Sequence, residues 1–309
     1  MGTTDGATPR VTVGVPIYNA ARTLPLTLRS VFSQTITDWE LILVDDGSTD
    51  GSVDIIRALK DDRVRVMVDG QNKTTAPRQN EITRAARAPF VARLDADDVM
   101  HPRRLEEQLE FMQANPEADA VGTEAYSVDA SYRIQGKRAV AGIPASEREV
   151  ALHGMFTHST VLGRTDWCMR NPYSEAPEAR RCEDAELWLR TFARSDFKLM
   201  KRPLLFYMED AASAIGKLRS SNRGRIRIMF RGKGEVRTKP LTLRLAVLAT
   251  IVVKMAFYEL CWALGFRQYL IDRRNLPVDA TEAEAARLWL QQVQQCALPG
   301  ISDPPADGR

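Results

Sequence analysis

Three carboxylates, Asp95, Asp97 and Asp98, fall within four positions directly behind the apolar run 89–91. Such a run reads as a buried strand. The acids therefore stand where a strand leaves a sheet, the edge at which open α/β sheets bind ligands. Carboxylates this close repel one another, and hard oxygen donors suit Mg2+ or Mn2+, ions that also bridge phosphate oxygens. The same acids would serve equally as an acidic cap for a helix beginning near His101, since helix N-termini favour negative charge. Two further acidic pairs also sit beside a regular element: Asp45-Asp46 closes the apolar run 39–44, and Glu183-Asp184 heads the amphipathic stretch 182–194.

The surrounding chain predicts the frame. Val11 to Pro16 alternates β-branched and small residues, giving a first strand followed by a loop at Ile17-Tyr18-Asn19. Thr23 is a candidate N-cap for a helix with Leu24, Leu28, Val31 and Phe32 on its apolar face, ending near Gln34. A second strand occupies 39–44, and Ser48-Thr49-Asp50 can cap a helix carrying Val53, Ile56 and Leu59. Strands at 64–68 and 90–94 flank a helix at 76–86. This βαβαβαβ alternation predicts an α/β, Rossmann-like, mostly parallel sheet flanked by helices. Its loops gather on one edge, bringing Tyr18, Asp46 and Asp95 to Asp98 together. Beyond Pro102 the pattern gives a helix at 103–114, a strand at 119–128, a helical stretch at 146–156 and an extended one at 158–164. The amphipathic helix at 182–194 follows, then short strands at 197–200 and 204–207.

Val11-Thr12-Val13-Gly14-Val15-Pro16-Ile17-Tyr18-Asn19, Leu43-Val44-Asp45-Asp46-Gly47-Ser48-Thr49-Asp50, Leu94-Asp95-Ala96-Asp97-Asp98, and Glu183-Asp184 ahead of Leu187-Trp188-Leu189-Arg190 follow in order along the first two thirds of the chain. Together they resemble the family 2 glycosyltransferases, inverting enzymes of the GT-A fold. The resemblance implies a nucleotide-diphosphate-sugar donor held by Pro16, Tyr18, Asn19, Asp46, Arg78 and Asp95. Asp97 becomes the metal ligand, Asp98 a second candidate, and His158 a residue near phosphate or metal; the ion would be Mn2+ or Mg2+. Asp184 becomes the general base that takes the acceptor hydroxyl proton. Glu183 has the right chemistry but points elsewhere on a helix, adjacent residues being about 100° apart. The family often has glycines before the residue matching Arg78, where this chain has Lys73-Thr74-Thr75-Ala76. Trp39 and Trp188 read as core, and His101 and His153 as packing or surface residues.

With 309 residues, 44% hydrophobic and 27% charged, the chain is globular and long enough for a large core. The resemblance and the elements divide it into a catalytic region at 1–215, with a nucleotide-sugar half to about 100 and an acceptor half at 101–215, and a basic, helical C-terminal region at 216–309. Four scattered cysteines and an N-terminus without a basic-then-apolar segment point to a cytoplasmic protein with reduced thiols. Ten basic residues between Lys217 and Arg244 face one acid, Glu235. Behind them, 245–264 is apolar except for Thr250, Lys254 and Glu259. A central lysine is costly in a bilayer. A helix lying on the anionic inner face of the plasma membrane is therefore the better expectation for 217–264, against packing on the core or a homo-oligomer interface. No aromatic interleaving supports nucleic acid as a partner. A last helix is expected at 282–298 and a loose tail at 300–309.

The resulting expectation is an inverting glycosyltransferase that passes a sugar to a glycan or lipid-linked acceptor in cell-surface polysaccharide or glycolipid synthesis. A nucleotidyltransferase would share the sheet and acids but needs a glycine-rich loop after its first strand, which Val15 to Asn19 lacks. A non-catalytic sugar-nucleotide-binding scaffold would have no use for Asp97 and Asp184 together.

Overall fold

A computed structural model describes residues 8–138, 140, 142–209, 211–232, 236, 238–266 and 275–301. The expected N-terminal segment, Glu235 with its basic neighbours Lys233 and Arg237, and most of the tail lie outside them.

Strands β1 (Val11–Ile17), β2 (Trp39–Asp45), β3 (Val64–Val68) and β4 (Phe90–Arg93) alternate with helices α1 (Leu24–Phe32), α2 (Ser52–Ala58) and α3 (Thr75–Ala85). Their parallel order β3-β2-β1-β4 matches the expectation. The second half turns mixed. β5 (Val99–Met100) precedes α4 (Arg104–Ala114), and β6 (Ala120–Val128) and β7 (Ile134–Arg138) form a hairpin. After α5 (Glu147–His153) a 3-10 turn at His158–Thr160 leads into β8 (Leu162–Arg164), where sequence suggested one extended piece. Then come α6 (Thr165–Arg170), α7 (Glu183–Thr191) and one long strand, β9 (Phe197–Met208), in place of the two short ones expected. Among the described residues the sheet runs β3-β2-β1-β4-β8-β6-β9-β5, with β7 on β6. β8 is antiparallel to both β4 and β6, so the fold joins a parallel half to a mixed one.

Among the described residues, helices α8 (Ala211–Arg231), α9 (Leu241–Ala263) and α10 (Ala280–Gln294) follow. α8 runs across position 215, where the catalytic region was expected to end. It packs on the start of α7 so closely that a Cβ at Gly224 would meet Cys182 Sγ at 2.3 Å. One aromatic core holds this half together: Trp188 of α7 lies against Phe156, Trp167 and Phe197, and Val247 and Ile251 of α9 join the same cluster. Gly122 of β6 makes room, because a Cβ there would sit 2.2 Å from the Phe156 ring. Trp39 and Trp188 are buried as expected. The first residues of the expected loose tail are docked: the Lys60 amide donates to Pro299 O at 2.9 Å, and Gly300 adopts φ +85° against Ala58.

Candidate functional site

Two chambers open at the edge where β1, β2 and β4 end. The first, about 550 Å³, is lined by Pro16, Tyr18, Asn19, Asp46, Asp95 and Asp97 among others. The sheet brings these together from positions far apart in sequence. Tyr18 is 55% exposed, so it is a free ring at the chamber mouth and not a packing aromatic. The floor is stitched from two loops. Asn19, at φ 49°, accepts from the Thr49 amide through Oδ1 at 2.8 Å, and its own amide donates to Ser48 Oγ at 3.0 Å. The expected Ser48-Thr49-Asp50 cap therefore mostly braces the first loop: Asp50 and Ser52 accept from the Ala21 and Ala20 amides.

Asp46 is almost fully buried. Its carboxylate accepts from the Lys73 and Thr74 amides at 2.7 and 3.0 Å and from Arg78 Nε at 2.9 Å. Arg78 does not line the chamber. Its guanidinium is 2% exposed and spread over Asp46, Asp69 and Glu81, which together hold its proton more tightly than usual, Asp69 first despite the opposing effect of burial. The 69–74 loop folds onto Arg78 in the first turn of α3, and Arg78 braces Asp46 instead of facing the cavity.

The acidic loop after β4 is fixed from four sides. The Leu94 amide donates to Gly14 O, the Asp95 amide to Ser159 Oγ at 2.9 Å, and Thr23 and Thr27 hydroxyls to Ala96 O. Thr23 thus ties α1 to this loop and makes no side-chain cap. Asp98 accepts from the Met208 amide at 3.0 Å, is 1% exposed and lines neither chamber. Burial, then the charges of Asp97 and Asp95, push its carboxyl well above the usual range. It anchors β9 and does not face the site as a second metal ligand would. Asp95 and Asp97 do face it. A small divalent ion needs only one or two carboxylates beside waters and substrate phosphates, so this pair suits Mg2+ or Mn2+. Among the described residues, no three His, Cys, Asp or Glu side chains form a ready cage.

The second chamber, about 880 Å³, lies between the β6-β9 side of the sheet, α5, the start of α7 and the two helices α8 and α9. Asp184 lines it, at the N-terminus of α7, with Oδ1 2.7 Å from the Ala185 amide. Whereas Asp97 lines the first chamber, His158 lines this one too. Its Nε2 is 2.7 Å from Tyr173 Oη, and burial, then Arg93, keep the imidazole neutral. Arg93, Asp95, Glu183 and Met208 line both chambers and form their common wall. Sequence reasoning passed over Arg93. It is 7% exposed and donates through Nη2 to Asp95 at 2.8 Å, while Nε and Nη1 have no hydrogen-bond acceptor. Burial alone would weaken its hold on the proton, but Asp95, Tyr173, Glu183 and Asp184 outweigh that. The signal was a cation two residues ahead of the acidic triplet, whose two-residue spacing puts it on the same strand face as Asp95. Glu183, by contrast, has its carboxyl pushed up by burial and then by Asp184.

A chamber of about 550 Å³ at the edge of a parallel half-sheet, an acidic loop on its lining and a second acidic pair, of which Glu183 reaches the shared wall, give the architecture of a GT-A fold. The comparisons agree. Residues 12–205 match the family described as Glycosyl transferase family 2. The chain belongs to that family. It is 35% identical over 189 residues to EpsE of Bacillus subtilis (strain 168), covering 60% of this chain and 67% of that one. It is 30% identical over 185 residues to the UDP-Glc:alpha-D-GlcNAc-diphosphoundecaprenol beta-1,3-glucosyltransferase WfgD of Escherichia coli, covering 58% and 68%. The fold is also that of S. aureus TarS 1-349 in complex with UDP-GlcNAc, at a TM-score of 0.56, 15% identity, and 79% and 71% coverage.

Proposed function

We propose that the protein is a metal-dependent, inverting glycosyltransferase that moves a sugar from a UDP-type nucleotide sugar to a hydroxyl of a lipid-linked glycan during cell-surface polysaccharide synthesis. The observation that carries this is the shared wall: a nucleotide-sized chamber and an acceptor-sized one meet at Arg93, Asp95 and Glu183, with Asp184 on the acceptor side. TarS, which shares the fold, is described with UDP and with UDP-GlcNAc. WfgD carries an undecaprenyl-diphosphate acceptor in its name.

In this reading Tyr18 lies on the base, Asp46 with Pro16 and Asn19 forms the base and ribose floor, and Asp95 takes the ribose side. Arg78 acts by holding Asp46. Asp97, with Asp95, would hold Mg2+ or Mn2+, which when bound supplies Lewis-acid stabilisation of the departing diphosphate. Asp184 takes the proton of the acceptor hydroxyl as that oxygen attacks the anomeric carbon from the face opposite the leaving group; one displacement inverts the configuration. Arg93 holds Asp95 oriented between the two substrates.

The same reading places the enzyme on the inner face of the membrane through α9. The polar residues of this helix turn inward: Glu259 pairs with Arg219 of α8, Lys254 lines the second chamber, and Thr250 meets Arg148. Outward it presents Leu245, Val252, Val253, Phe257, Leu260 and Leu264, all 40–71% exposed. This leaves an apolar face for the bilayer, while contacts with α5 and α8 along the helix favour lying on the surface over spanning it.

The test is a panel of nucleotide sugars with Mn2+, Mg2+ or chelator and a crude lipid extract as acceptor, read as released nucleoside diphosphate. Metal-dependent release from one donor, lost in Asp97→Ala and Asp184→Asn, supports the reading; metal-independent donor binding without turnover overturns it.

A further inference from the structure

The second chamber holds more than an acceptor sugar and its base. Its far end is built from parts outside the catalytic motifs. Asn222 and Arg225 are three residues apart on α8 and so share a face. Lys254 comes from α9, and Arg181 from the turn just ahead of α7. Asn222 is only 4% exposed, yet its Nδ2 donor has no acceptor. A buried amide donor left unmatched is destabilising, so its presence at a chamber wall points to an acceptor atom arriving from outside. Arg225 gives Nη1 to Ala151 O at 2.7 Å, which fixes the guanidinium against the end of α5. His153, also on the wall, is held below the usual imidazole range by burial, then by Lys254 and Arg225, with Glu149 opposing them. The acids nearby are engaged elsewhere. Glu149 accepts from the Ala145 amide at 2.9 Å within the α5 capping turn, and Glu209 pairs with Arg138.

Two guanidinium groups, an ammonium and an orphan amide donor make a set with donors only, which fits a diphosphate and not a neutral sugar. We infer that Asn222, Arg225, Arg181 and Lys254 form an anion subsite that takes the diphosphate of the acceptor, between the sugar at Asp184 and a lipid chain lying along the outer face of α9. This rests on the glycosyltransferase reading above and adds the acceptor's anionic linker to it. No covalent step occurs at the subsite; it selects and orients.

Two measurements test it. The first is transfer to one sugar carried either on a prenyl diphosphate or on an uncharged octyl group, compared as kcat/KM. Wild type prefers the diphosphate acceptor, and Arg181→Gln with Lys254→Gln lowers that preference by about tenfold or more, a charge-assisted hydrogen bond contributing about 1.5–3 kcal/mol. Because the readout is a ratio, partial loss of fold moves both rates together and leaves it unchanged. Equal losses on both acceptors, or no preference in wild type, overturn the subsite while the transferase reading stands. The second is direct binding of farnesyl diphosphate against farnesol, with inorganic pyrophosphate and phosphatidylglycerol vesicles as competitors. Binding of farnesyl diphosphate that weakens in the double variant and resists the vesicles supports the subsite even where no donor turns over. Displacement by the vesicles overturns it in favour of a membrane headgroup.

Discussion

Asp184 and Glu183 are neighbours in sequence with different surroundings. Glu183 touches both chambers and its carboxyl is raised by burial and by Asp184; Asp184 faces the acceptor chamber alone. On the proposed mechanism, Asp184→Asn should lower kcat by about 10²–10⁴-fold, the usual contribution of a general base, with donor KM nearly unchanged. Glu183→Gln should disturb donor and acceptor KM together. A steady-state matrix of both substrates separates the two variants. Asp46 makes a different kind of contribution. Asp46→Asn replaces an acceptor-only carboxylate with an amide whose donor faces three N–H groups. The 69–78 loop should lose about 1–3 kcal/mol, and donor KM should rise more than kcat falls. Arg78→Met should produce the same signature without touching the chamber, which a nucleotide-fluorescence titration would reveal.

At the scale of elements, the parallel half is held by a buried polar knot as well as by apolar packing. Glu40 on β2, 1% exposed, accepts from Thr12 Oγ1 of β1 at 2.6 Å, from the Arg87 amide at 2.6 Å and from Arg87 Nε at 2.8 Å. Burial pushes this carboxyl up, but the bonds from Thr12 and Arg87 outweigh it and leave it below its ordinary value. A depressed folded value means the stabilisation is complete above the unfolded value and is lost as pH falls through the folded one. Glu40→Gln should therefore lower stability by about 1–2 kcal/mol at neutral pH, and the gap to wild type should narrow as pH drops below the ordinary carboxylate range. Urea titrations at several pH values measure both. The elements of this half were legible because strands 11–17 and 39–45 are mostly apolar and are followed by turn residues. β5, α6 and β7 were not, because two to six residues carry no readable period. α8 was hidden by its composition: its arginines and Gly216 and Gly224 read as a charge run, although Gly224 is where α8 closes on Cys182.

Taken whole, the lining of the first chamber was readable from sequence because three short motifs end at one sheet edge. Most of the second chamber was not, since its wall draws Arg93, Tyr207, Asn222 and Lys254 from elements that meet only after folding. The membrane prediction also belongs to this scale. Intact protein should float with anionic vesicles, and Val253→Glu with Leu260→Glu should abolish flotation while leaving transfer to a water-soluble acceptor in place, because neither residue lines a chamber. Flotation that persists in the double variant would move the contact away from α9.

The wall common to the two chambers also has a kinetic meaning. Arg93, Asp95, Glu183 and Met208 belong to both cavities. Whatever rests against them on one side alters the surface presented on the other, so the two substrates are linked ligands, and each must change the other's equilibrium affinity by the same factor. Initial rates measured across both concentrations should give intersecting double-reciprocal lines, the mark of a ternary complex. The affinity of a non-reacting acceptor analogue, measured with and without nucleoside diphosphate, gives the size of that factor.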